Sequence, residues 1–139
     1  MNIGSGSGYP SSSLSNFAGH RFVLDGVECN SAEGFLQGLK FQSVEMQAYV
    51  CTLIGKAAKF KGKRKSWYVT QTLWWKGQPI NRHSKEYQLL LNRAYNAMYQ
   101  QSESFYKALH CSCKAVLKHT MGKTECLKLY LHNQNFVKD

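Results

Sequence analysis

Residues 21–41 read Arg21-Phe-Val-Leu-Asp25-Gly26-Val-Glu-Cys29-Asn30-Ser31-Ala-Glu33-Gly34-Phe35-Leu36-Gln37-Gly38-Leu39-Lys40-Phe41, and two local signals divide them. Asp25-Gly26 stands between two short β-prone runs, the composition of a hairpin turn whose central residues take positive φ. Asn30 or Ser31 then offers a helix N-cap, and the helix is expected to run to about Phe41. A small antiparallel ribbon feeding a helix sets the expected class: mainly α with a small β-hairpin and short strands, α+β.

Successive helical residues turn by about 100°, so Glu33, Gln37 and Lys40 share one face while Phe35, Leu36 and Leu39 share the opposite one. The plainest reading is an amphipathic surface helix with a solvated polar stripe. With Asn30 as cap, Glu33 also falls at the third helical position, where a capping box uses a glutamate. Gly34 and Gly38 flank the stripe at a cost in helix stability, which is easier to understand if a ligand or another backbone comes close.

Outward from this stretch, a second helix is expected from Val44 to Ile54, ended by Gly55. Lys56, Lys59, Lys61, Lys63, Arg64 and Lys65 crowd around Gly62 in a basic turn or short helix. Trp67 to Trp75 is aromatic and β-branched and reads either as a strand or as a buried irregular segment, followed by a turn at Lys76-Gly77-Gln78-Pro79. From Ser84, an N-cap, Tyr87, Leu90, Leu91, Ala94, Tyr95 and Met98 recur at helical spacing to about Gln100. Ser102 caps another helix with Phe105, Ala108 and Leu109 on one face. Ala115 to His119 reads as a short extended piece closed by Gly122, and Leu127 to Val137 is ambiguous. Residues 1–13 have the composition of a flexible segment. Gly4, Gly6 and Gly8 lack the flanking strand and helix of a phosphate loop. Residues 14–139 make one compact domain.

The 139 residues carry 18 Lys+Arg against 8 Asp+Glu, a formal charge of +10. Anionic partners are favoured, and carboxylate chemistry must choose among Asp25, Glu28, Glu33, Glu45, Glu86, Glu103, Glu125 and Asp139. No apolar run is long enough to span a bilayer and no leader is evident, so no membrane role is expected and the expected location is cytoplasmic. Five scattered cysteines without a CxxC pair suit reduced thiols. A zinc site built from His110, Cys111, Cys113 and His119 is disfavoured because a lone CxC gives poor tetrahedral geometry; no metal is expected.

Leu14-Ser15-Asn16-Phe17, Phe22-Val-Leu-Asp25-Gly26 and Ser31-Ala-Glu33 with Phe35, Gln37, Lys40 and Phe41 resemble the signatures of the NADAR family, the NAD- and ADP-ribose-associated N-glycosidase-like domains. Ala58-Lys-Phe-Lys-Gly62-Lys63, Ser66-Trp67-Tyr68, Leu73-Trp-Trp-Lys76-Gly77 and Arg82-His83-Ser84-Lys-Glu-Tyr87-Gln88 extend the resemblance toward a bacterial or phage branch. It departs at Gly34, where the family has histidine, and at Met121-Gly122-Lys123-Thr124, where some members have an aspartate and a Trp-Gly pair.

The resemblance implies a single NADAR-like domain that hydrolyses a ribosyl N-glycosidic bond without a cofactor. Its substrate would be an ADP-ribosylated guanine or a related nucleotide, with DNA or RNA as the polymer that carries it. Glu33 is the implied catalytic carboxylate, activating water or stabilising an oxocarbenium-like state. Elimination agrees in part, because Glu45, Glu86 and Glu103 read as solvated helix positions, Asp25 belongs to the hairpin turn and Asp139 is the terminus. Asn16 and Gln37 would bond ribose hydroxyls, Trp67 with Phe17 behind it would stack on the base, and Lys40, Lys76 and Arg82 with Lys59, Lys63 and Arg64 would hold the diphosphate. The leaving base would take its proton from water or from His119, or need none. Two other readings stand beside this one. Gly34 and the missing second acid suit a catalytically silent ADP-ribose or NAD-derivative binder, and +10 suits a basic nucleic-acid-binding protein.

Overall fold

The computed structural model describes residues 8, 9, 11–63 and 65–117. The elements are α1 (Ser11–Leu14), β1 (Gly19–Leu24), β2 (Val27–Ser31), α2 (Ala32–Gly38), α3 (Val44–Cys51), α4 (Gly55–Gly62), α5 (Trp67–Thr70), β3 (Thr72–Trp75), β4 (Gln78–Asn81), α6 (Lys85–Gln101) and α7 (Glu103–Leu117). The class is the expected one, mainly helical α+β with two small antiparallel sheets.

Both ribbons close on the same kind of turn. Asp25 and Gly26 have φ of 52° and 80° between paired Leu24 and Val27, and Lys76 and Gly77 have 52° and 83° between paired Trp75 and Gln78. Asp tolerates this left-handed region through its short polar side chain, which is why Asp-Gly advertises its turn and Lys-Gly does so less loudly. The Trp67–Trp75 stretch is neither wholly strand nor irregular. Its first half is the single turn α5, Gln71 reverses the chain at φ 56°, and only the second half pairs as β3.

Ser31, not Asn30, caps α2, its extended backbone and Oγ receiving Gly34 N–H at 2.9 Å. Glu33 is therefore the second helical residue, and no capping box engages it. The helix ends at Gly38 rather than Phe41, and α3 at Cys51 rather than Ile54. The basic segment is the helix α4. The Ser84 and Ser102 caps form as expected, and the whole apolar stripe of α6 is buried. Ala115 to Leu117 is the last turn of α7, not an extended piece. Ser11 to Ser13 belong to α1, whose Leu14 is buried, whereas Met1 to Ser7 lie outside the described residues. So do Arg64 and everything from Lys118 onward, including His119, Gly122 and the ambiguous Leu127–Val137.

The core gathers Phe22, Phe35, Leu39, Leu73, Tyr87, Leu91, Tyr95, Met98 and Phe105 between α2, the ribbons, α6 and α7. Among the described residues no helix is long and apolar enough to cross a membrane.

Candidate functional site

The polar stripe of α2 is not solvated. Gln37 and Lys40 are buried and only Glu33 is half exposed, because α3 and α4 pack on the two sides of the helix that water was expected to reach. The glycines make this possible. A Cβ on Gly34 would stand 2.5 Å from the Leu53 carbonyl and 2.9 Å from that of Cys51, and one on Gly38 would stand 2.8 Å from Cys51 Sγ. Gly34 therefore marks a backbone crossing, and a histidine does not fit there. On the other side Gly62 of α4 lies against the Gln37 amide, where any Cβ would collide with Gln37 Oε1.

Along this seam Gln37 Nε2 donates to Glu33 Oε1 at 2.9 Å, fixing the carboxylate from one turn below. The Glu33 N–H donates to the Asn16 carbonyl at 2.9 Å, and Asn16 Oδ1 accepts from Tyr95 Oη at 2.9 Å. Asn16 is thus a post that ties the loop before β1 to both α2 and α6. Phe17 sits half-buried next to Gly55, with Lys59 Nζ 6.0 Å from its ring centre. At the far end of the stripe Lys40 Nζ points to the Gly62 carbonyl, 3.5 Å away, and lies 5.9 Å from the Trp67 ring centre. A cavity of about 410 Å³ opens there, lined by Lys40, Lys65, Ser66, Trp67, Thr70, Thr72 and Trp74. Two buried polar atoms at this seam, Trp67 Nε1 and Gln37 Oε1, have no hydrogen-bond partner among the described residues. Such atoms are uncommon in folded proteins and are satisfied when a ligand or water supplies the missing group.

Of the residues singled out in the sequence, Lys40 and Trp67 line the cavity, Gln37, Glu33 and Asn16 follow one another away from it along α2, and Phe17 and Lys59 pair beside α4. Lys76 and Arg82 do not line the cavity. Lys76 Nζ donates to the Asp25 carbonyl at 2.8 Å, and the Arg82 guanidinium stacks 4.9 Å over Tyr87. Lys63 is exposed, its Nζ 5.6 Å from the Phe60 ring centre. Thr70, Thr72, Trp74 and Ser66 were missed. Thr72 and Trp74 face the cavity because they alternate with buried Leu73 and Trp75 on β3, a period-two signal too short to read before the strand is known. Of the zinc candidates, His110 Nε2 is hydrogen-bonded to Tyr99 Oη at 2.7 Å, and His119 lies outside the described residues.

The family model described as bacteriophage protein GP30.3 matches residues 8–139. An enterobacteria phage T4 protein, described as an uncharacterized 17.1 kDa protein in the Gp30-rIII intergenic region, is 40% identical over 117 residues, covering 82% of this chain and 76% of its own. No solved structure matches. These matches correct the NADAR assignment, which nothing among them supports. The short motifs behind it are in good part turn and cap chemistry: Asp25-Gly26 makes a hairpin turn and Ser31 caps a helix, tasks that recur in unrelated chains.

Proposed function

The chain belongs to the GP30.3 family of bacteriophage proteins, and we propose that its α2–α4 seam is a nucleotide site at which Glu33 hydrolyses a ribosyl N-glycosidic bond. The observation that carries this reading is the Glu33–Gln37 pair, a carboxylate held by an amide rather than by an ammonium, on the stripe that leads to buried Lys40 and Trp67. The other carboxylates with a described charged partner are engaged elsewhere: Asp25 with Arg93, Glu28 with Arg21 and Glu103 with Lys107.

In this reading Trp67 and the threonines of the cavity receive one ring of the ligand, Lys40, Lys59 and Lys65 neutralise a diphosphate, and the ribose to be cleaved lies along the seam at Glu33. Water adds to the anomeric carbon as the bond to the base nitrogen breaks. The bonding pair leaves with the base, Glu33 stabilises the cationic sugar and takes the proton of the attacking water, and bulk water protonates the base. A base carrying ADP-ribose is the substrate class that uses every one of these groups, and the reaction belongs to the cytoplasm.

The test is incubation with ADP-ribosylated guanine in DNA, in RNA and as free nucleotide, followed by mass analysis. Release of ADP-ribose that is abolished in Glu33→Gln supports the reading, and unchanged turnover in that variant removes it. The lack of a second carboxylate on the seam, among the described residues, favours one competing reading, a silent binder of the same ligand. It requires a stoichiometric complex by calorimetry with no product, and multiple turnovers exclude it.

A further inference from the structure

Helix α4 and the residues after it present a surface of which the proposed nucleotide site uses only Lys59 and Lys65. Lys56, Lys59, Phe60, Lys61, Lys63 and Lys65 are all exposed, and only Ala58 and Gly62 of this helix are buried. Phe60 leaves 73% of its area in water and Tyr49, on neighbouring α3, 50%. Both rings carry a lysine: Lys63 Nζ is 5.6 Å from the Phe60 centre and Lys61 Nζ 5.5 Å from the Tyr49 centre. Lys65 continues the row to the cavity mouth, with its Nζ 4.7 Å from the Phe41 ring centre.

We infer that this face is a track for single-stranded nucleic acid. A single strand offers a line of phosphates and, unlike a duplex, unstacked bases. A row of ammonium groups beside open aromatic faces matches both, because the rings take bases by stacking without regard to sequence. No acidic residue occurs from Lys56 to Lys65 to repel the backbone, and the charge of +10 adds long-range attraction. An anionic membrane fits less well, since Phe60 is the one large apolar side chain on the exposed face of α4, and interfacial helices bury an apolar face.

The experiment is fluorescence anisotropy with unmodified oligo-dT, oligo-U and a duplex of equal length over a salt series, together with sedimentation on phosphatidylserine vesicles. Using unmodified strands separates this inference from hydrolysis, whose failure leaves it standing. Single strands bind more tightly than the duplex, Phe60→Ala weakens them at least about five-fold, and Lys61→Gln with Lys63→Gln lowers the log–log salt slope by about 1.4. The two oligomers distinguish DNA from RNA as the natural ligand. The exposed positions leave folding intact, which thermal unfolding of each variant verifies. Equal affinity for duplex, unchanged binding in Phe60→Ala, or Phe60-dependent binding to vesicles instead of oligonucleotides overturns the inference.

Discussion

Arg93 grips Asp25 with both terminal nitrogens, Nη1 to Oδ1 at 2.8 Å and Nη2 to Oδ2 at 2.6 Å. The same carboxylate accepts Trp75 Nε1 at 2.8 Å, and the Asp25 carbonyl accepts Lys76 Nζ. One turn residue thereby fastens β1–β2 to the turn of β3–β4 and to α6. The ion pair is partly exposed, so screening limits it, but its planar two-point geometry and the buried indole bond raise its worth. Asp25→Ala is expected to cost about 1–2 kcal/mol, and Asp25→Asn less, because asparagine keeps both the left-handed turn and an acceptor for Trp75. Urea unfolding of the two variants measures the difference; equal losses would mean that the charge, not the turn, dominates.

The close crossing of α2 by the end of α3 sets a second expectation. Gly34→Ala pushes a methyl against the Leu53 carbonyl and should destabilise the fold by about 1–3 kcal/mol, measured as a lower thermal midpoint. Gly34→His should fold worse still and gain no activity. A soluble Gly34→His protein with higher turnover would refute the structural role given to this glycine.

His20 supplies a pH dependence. It is buried, Nε2–H donates to the Ser13 carbonyl, and Nδ1 accepts from Ser104 Oγ at 2.9 Å or Ser102 Oγ at 3.1 Å. Burial holds its pKa below the ordinary 6.5, only partly offset by the Ser13 carbonyl. The unfolded chain therefore takes up the proton first as pH falls. Stability is full above about 6.5 and declines as pH drops from there toward the folded-state pKa. Denaturant midpoints at pH 7.5 and 5.5 test this, and His20→Gln should flatten the difference.

Trp67 Nε1 is a buried donor with no partner among the described residues, so Trp67→Phe removes no hydrogen bond from the unliganded fold and keeps an aromatic ring in the core. Its stability should change by no more than about 2 kcal/mol, from lost packing alone, while affinity for the proposed ligand ADP-ribose should fall on the order of tenfold. Calorimetry and thermal unfolding of the same sample give both numbers. A large stability loss with unchanged affinity would show that the indole is only core.

Cys29 and Cys51 are fully buried, and the Cys29 thiol is pushed far up by its hydrogen bond to Cys51 and by burial, whereas Cys111 is exposed. Iodoacetamide followed by peptide mapping should modify Cys111 in the native protein and reach Cys29 and Cys51 only after denaturation.

What could be read from the chain divides along physical lines. The Asp25-Gly26 turn, the Ser84 and Ser102 caps and the stripe of α6 are local, each dictated by residues within four positions of one another, and each forms as expected. Asn16, Glu33, Gln37, Lys40 and Trp67, singled out through motifs resembling another family, follow one another along a single seam, a proximity that holds whatever the seam does. What escaped was tertiary. Hydrophilicity made Gln37 and Lys40 look solvated, and only the partnership of Gly62 with Gln37, 25 residues apart, reveals that α4 covers them. The spacing of Lys76 and Arg82 carried no sign that a turn carbonyl and the Tyr87 ring would claim them.

The fastening at Asp25 has a consequence for how the chain is made. A two-stranded ribbon is at best marginal by itself in water. The first ribbon leaves the ribosome early, yet the groups that secure its turn, Trp75, Lys76 and Arg93, follow 50 to 68 residues later. The N-terminal third therefore waits, loosely formed, until about half of α6 has been made. Both ribbons should then lock in a single step, and hydrogen exchange should find their amides opening together.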